Sequence, residues 1–138
     1  MTDLTDLRAA ARAARERAYA RYSQFAVGAA VETTDGRRFT GANIENASYG
    51  LTICAERTAV FAAVLAGARG IAAVAVAGPD GVTTPPCGAC RQVLAEFGAP
   101  DAALSYARAD GGWTDTTLGD LLPAAFAPIS LEAARGIA

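Results

Sequence analysis

An α/β fold with one sheet covered by helices follows from three observations. Short β-prone runs alternate along the chain with segments of helical period. One run, Ile71 to Ala77, is apolar throughout and bounded by Gly70 and Gly78-Pro79, as suits a strand buried on both faces. Asp35-Gly36 separates two other β-prone segments and is a strong hairpin turn.

In chain order, Met1 to Tyr22 reads as an amphipathic helix, since Leu4, Leu7, Ala11, Ala14 and Ala18 recur at three- and four-residue steps between arginines. Val27 to Thr33 and Arg37 to Thr40 are the two arms of the hairpin. Residues 41 to 53 lack periodicity and read as a loop presenting Asn43, Glu45, Asn46 and Tyr49. A helix is expected from Cys54 to Ala66, closed by Gly67, with Val60, Phe61, Val64 and Leu65 as its core stripe. After the buried strand, the turn-rich stretch Gly78 to Pro86 leads into a third helix from Cys87 to Phe97, stopped by Gly98. Ala102 to Tyr106 reads as a strand and Thr117 to Leu122 as a short helix, while the segment from Pro123 carries no clear signal.

A chain of 138 residues, 52% apolar and 19% charged, fits a single globular domain over residues 1–138. The formal charge of −2 argues against a nucleic acid polymer as partner, because polymer binders carry a basic excess. Arg8, Arg12, Arg15, Arg17 and Arg21 are interleaved with Asp3, Asp6 and Glu16, as on a solvated helix face. No apolar run is long enough for a membrane span, no signal-peptide pattern opens the sequence, and three cysteines cannot all pair. Reduced thiols in a cytoplasmic protein are expected, with no membrane partner.

The cysteines carry the chemistry. They fall in two clusters, Cys54-Ala55-Glu56 and Pro86-Cys87-Gly88-Ala89-Cys90, and the chain has no histidine. Three thiolates can hold zinc with its fourth position open, which is the arrangement of a catalytic site. Cys-x-Glu followed by Pro-Cys-x-x-Cys is the pattern of zinc-dependent base deaminases with cysteine in place of the usual histidine. Both clusters open predicted helices, where unpaired N–H groups stabilise thiolates, and Cys87 and Cys90 face one side of the first turn. Cys54 completes the set only if the two helix starts lie side by side. Glu56 diverges from Cys54 on the helix, which fits an acid/base group rather than a fourth ligand. Zinc(II) with three thiolates carries a net negative charge, which weakens it as a Lewis acid; Arg57 and Arg91 stand next to the clusters, and Arg57 is expected to donate hydrogen bonds to ligand sulfurs. A lone Cys-x-x-Cys could instead be a redox dithiol, but Cys54-Ala55-Glu56 disfavours that. A structural zinc site would need a fourth protein ligand, which neither histidine nor a further cysteine supplies.

With these residues in view, the sequence resembles the small, homotetrameric, free-nucleoside cytidine deaminases. Further segments carry the likeness: Tyr22 to Ala30 resembles the family's first strand signature, Gly41 to Tyr49 its substrate loop, and Leu121 to Phe126 its C-terminal signature. The resemblance implies a three-layer α/β/α fold with a central mixed five-stranded sheet and one zinc per chain on Cys54, Cys87 and Cys90. It implies that Asn43 and Glu45 bond the ribose hydroxyls, that Phe25 packs on the nucleoside, and that the Ala55 N–H binds the pyrimidine carbonyl. Phe126 would stack on the cytosine of a neighbouring subunit, giving a homotetramer with shared active sites. The carbonyl of residue 85 would receive the exocyclic amine; this chain has Pro85 where the family commonly has serine, which keeps the carbonyl and stiffens the loop.

The implied reaction converts cytidine or 2′-deoxycytidine to uridine or 2′-deoxyuridine with release of ammonia, a step of pyrimidine salvage. Zinc generates hydroxide near neutral pH. The hydroxide attacks C4 while Glu56 moves one proton to N3 and a second to the leaving amine. Deaminases of other heterocycles, such as blasticidin, share the metal segments, but Asn43 to Asn46 and Phe126 favour cytidine.

Overall fold

The computed structural model describes residues 3–128. Helix α1 (Thr5–Ala14) leads through a 3-10 turn to strands β1 (Gly28–Thr33) and β2 (Arg38–Ala42), then to helix α2 (Ala55–Leu65) and strand β3 (Ile71–Ala77). Helix α3 (Gly88–Phe97), strands β4 (Gly98–Ala107) and β5 (Trp113–Thr117), and the short helix α4 (Leu118–Leu121) follow. The five strands form one sheet in the order β2-β1-β3-β4-β5. It is mixed: β3 runs antiparallel to β1 and parallel to β4, and β1–β2 and β4–β5 are antiparallel pairs.

Residue size along the strands sets how closely each helical layer lies. Successive side chains point to opposite faces. One face of the sheet carries Ala30, Ala73, Ala75, Ala77 and Ala107, and Leu4, Leu7 and Ala11 of the α1 region pack on it. The other face carries Ala29, Val31, Val74, Val76 and Leu104, which pack against Ala55, Ala59, Val60 and Ala63 of α2, Leu94 of α3 and Leu118 of α4. The alanine face lets α1 approach the sheet: a Cβ on Gly28 would lie 2.0 Å from the Ala11 carbonyl oxygen. These are the three layers the resemblance implies. Leu94 and Leu104 are fully buried, and truncating either to alanine costs about 2–5 kcal/mol.

Three local expectations need correction. The first helix ends at Ala14, with the 3-10 turn over Arg15–Arg17, and does not reach Tyr22. Beyond it the Tyr19 N–H donates to the Asn43 carbonyl at 2.9 Å, and the Glu45 N–H to the Tyr19 carbonyl at 2.9 Å. Long-range pairing therefore displaces a helix that the local pattern favoured. In α2, Phe61 and Leu65 are exposed; the buried face is Ala55, Glu56, Ala59, Val60 and Ala63. Strand β4 starts at Gly98, directly after α3, and β5 forms from Trp113–Thr117, which the periodicity did not mark.

Candidate active site

The site forms where two helix starts meet. Cys54 and Cys87 are the N-caps of α2 and α3, in extended conformation, and Cys90 lies one turn into α3, fully buried. The three Sγ atoms lie within 4.8 Å of one another. Cys87 Sγ is 3.4 Å from Cys90 Sγ and 3.9 Å from Cys54 Sγ. Four-coordinate zinc with Zn–S bonds of about 2.3 Å needs sulfurs about 3.8 Å apart, so the trio fits the ion. Gly41 allows the approach of β2 to α2: a Cβ there would sit 2.3 Å from Thr58 Oγ1 and 2.5 Å from the Ala55 carbonyl oxygen.

Arg57 Nη2 donates to Cys54 Sγ at 3.3 Å, as the charge argument required, while its buried Nε has no partner. Arg91 does not reach the sulfurs: its Nε donates to the Pro86 carbonyl at 2.8 Å and its Nη1 to the Leu121 carbonyl at 3.0 Å. The Cys54 thiol is pushed down to about 5, first by its hydrogen bond with Cys90 and then by Arg57, against the effect of burial. The Cys90 thiol is driven up by the same bond and by burial. Metal binding needs all three sulfurs as thiolates, so it is linked to proton release. Glu56 is 4% exposed, and burial raises its carboxyl to about 6. That brings a general acid/base group near neutrality.

Beside the sulfurs lies a cavity of about 520 Å³. Its walls include Phe25, Asn43, Glu45, Cys54, Ala55, Glu56 and Cys87, and also Ser23, Val27, Thr52, Thr84 and Pro85. Asn43 is 8% exposed and faces the segment before β1: its Nδ2 donates to the Phe25 carbonyl at 2.8 Å, and its Oδ1 accepts the Val27 N–H at 2.9 Å. Glu45 Oε1 accepts the N–H groups of Tyr22 and Ser23 at 2.9 and 3.0 Å, and Oε2 accepts the Ser23 hydroxyl. Phe126 is 63% exposed and does not line this cavity; its carbonyl accepts Gln92 Nε2 at 2.7 Å. Sequence reasoning missed Ser23, and it placed Arg91 beside the ligands without its carbonyl contacts. A serine two residues before Phe25 carried one signal, the hydroxyl-to-backbone turn it makes with the Phe25 N–H at 3.0 Å.

Residues 1–105 match the family model described as the cytidine and deoxycytidylate deaminase zinc-binding region. The chain belongs to this deaminase family. It is 51% identical over 113 residues to a cytidine deaminase of Halalkalibacterium halodurans, covering 82% of this chain and 86% of that one. A cytidine deaminase of Mycobacterium tuberculosis is 45% identical over 124 residues, covering 90% of each. Among solved structures, the cytidine deaminase of Burkholderia pseudomallei superposes with a TM-score of 0.84 at 53% identity, covering 91% of this chain and all of that one. The Mycobacterium tuberculosis enzyme gives 0.79 at 44% identity, over 91% and 98% of the two chains. The zinc-binding character of the deaminase family accounts for three free thiols held this close together.

Proposed function

We propose that this protein is a cytidine deaminase, hydrolysing cytidine and 2′-deoxycytidine to the uridine nucleosides and ammonia in pyrimidine salvage. The observation that carries the reading is the buried Glu56 beside a three-sulfur cluster, in the lining of a cavity walled also by Asn43, Glu45 and Phe25.

Cys54, Cys87 and Cys90 would hold zinc. When bound, the metal supplies the Lewis acidity that makes water nucleophilic near neutral pH. Arg57, by donating to Cys54, draws charge from a ligand sulfur and keeps the centre acidic. Glu56 accepts a proton from the attacking water and delivers it to N3 of cytosine, which makes C4 electrophilic. It then carries the second proton to the exocyclic amine, so one carboxyl serves as base and then as acid. A carboxyl at about 6 suits both tasks. The N–H of Ala55, in the first turn of α2, would bind the pyrimidine carbonyl, and the Pro85 carbonyl the departing amine. Asn43 and Glu45 would meet the ribose, and Phe25 would pack on the nucleoside.

The domain is proposed to span residues 1–138 and to work in the cytoplasm as a homotetramer, with Phe126 completing a neighbour's site. The exposure of Phe126 away from its own cavity supports this. Among the described residues, no helix is long and apolar enough to cross a membrane.

The test is uridine and ammonia formation from cytidine by the purified zinc-loaded chain, with Glu56→Ala beside it. Turnover by the native chain alone, with zinc retained in the variant, is the expected result. Loss of zinc in Glu56→Ala would make Glu56 a ligand, and no native turnover would sink the reading.

A further inference from the structure

Between the turn after α1 and the start of β1, the chain from Tyr22 to Val27 has no regular secondary structure, yet side chains hold it closely. Both ends are gripped from the Asn43–Glu45 segment: Glu45 takes the N–H groups of Tyr22 and Ser23, and Asn43 takes the Phe25 carbonyl and the Val27 N–H. Between the two grips stands Gln24, with φ at 55°. Ser23 joins them, for its hydroxyl donates to Glu45 Oε2 while accepting the Phe25 N–H at 3.0 Å.

We propose that Ser23 is a positioning residue for sugar recognition: its hydroxyl orients the Glu45 carboxylate and, through the Phe25 amide, fixes the aromatic wall beside it. This rests on the cytidine deaminase reading above. A carboxylate offers about four acceptor directions. Two backbone N–H groups occupy Oε1, so that oxygen acts as a pivot. The Ser23 hydroxyl sets the rotation about the pivot and leaves one lone pair of Oε2 for a sugar hydroxyl. The same contacts, the Ser23 hydroxyl first, hold the Glu45 carboxyl below its usual range, so it stays an ionised acceptor. Removing the hydroxyl frees the rotation and leaves the Phe25 N–H without its partner. The carboxylate and the ring are then mispositioned together, while the sulfurs and Glu56 are untouched.

The test compares zinc-loaded Ser23→Ala, Ser23→Thr and the native chain on cytidine, with 2′,3′-dideoxycytidine as a competing ligand that lacks the 2′ and 3′ hydroxyls. Ser23→Ala should raise KM for cytidine about tenfold, the worth of one charge-assisted hydrogen bond, with kcat within about twofold. The inhibition constant of the dideoxynucleoside, which keeps the Phe25 contact and lacks the Glu45 one, should rise by about threefold at most, and Ser23→Thr should restore KM. Amide exchange at Phe25 should quicken in Ser23→Ala and not in Ser23→Thr. An equal shift for both ligands, a fall in kcat instead, or unchanged KM would overturn the proposal and leave Ser23 a plain turn residue. Absence of native turnover would count against the deaminase reading; unchanged Phe25 exchange in Ser23→Ala would count against the positioning role, with or without turnover.

Discussion

Gln24 sits at φ 55°, a left-handed conformation that L-residues other than glycine, asparagine and aspartate rarely hold. It persists because Glu45 and Asn43 fix the chain on either side. A β-branched side chain fits such a backbone poorly, so Gln24→Val should cost about 1–2 kcal/mol in chemical denaturation. Arg57→Ala should lower zinc affinity or activity about 10–100-fold, measured by competition with a chelating dye and by turnover. The donor was legible in advance because the charge on three thiolates demands one, and of the two arginines beside the clusters, Arg57 and Arg91, it is Arg57 that reaches a sulfur. Ser23 was not legible in the same way. A hydroxyl forms its bonds with whatever the fold brings near, and here that is a carboxylate 22 residues away. Phe61 and Leu65 misled for a related reason: they are apolar and helically spaced, but the face that meets the sheet is made mostly of alanine.

At the scale of elements, the junction between β2 and α2 decides whether the metal ligands meet. Gly41→Ala would push α2 away from the sheet edge, and overpacking of this kind costs about 1–3 kcal/mol. Because Cys54 caps the displaced helix, zinc affinity should fall along with the melting temperature, whereas a plain core mutation would lower only the latter. On the opposite face, α1 is tied to the far edge of the sheet. Arg8 Nη2 meets Asp115 Oδ1 at 2.6 Å, and buried Ser105 donates to the same oxygen at 2.7 Å. Arg8, then Ser105, holds the Asp115 carboxyl below its usual range. The resulting stability is present above the ordinary aspartate range and is lost as pH falls through the depressed value. Both partners are partly exposed, so Asp115→Asn should cost no more than about 1 kcal/mol at pH 7 and still less at pH 3, read from urea midpoints. The central strand and the two cysteine-capped helices were legible from apolar runs and glycine stops. The true end of α1 was not, since pairing of Tyr19 with residues 43 and 45 set it. Strand β5, Trp-Thr-Asp-Thr-Thr, is mostly polar and takes its register from β4.

For the whole molecule, the proposed sharing of sites makes a prediction that no single chain can satisfy. Glu56→Gln and Phe126→Ala should each be poorly active alone. Mixed and reassembled, they should recover part of the native rate, because some sites in a hybrid would take an intact Glu56 from one chain and an intact Phe126 from another. Recovery of no activity, with hybrids present by mass, would make each site self-contained. A last consequence comes from the two cysteine clusters lying in separate helices, with Cys54 and Cys87 33 positions apart. An ion held by both is a removable cross-link. Closing a loop of this length takes about 3–4 kcal/mol of chain entropy from the unfolded state, if the relation for disulfides is carried over to a metal clasp. Ejecting the metal should therefore unfasten the α2–α3 corner as well as silence the chemistry, and heat tolerance should record how fully the protein is loaded.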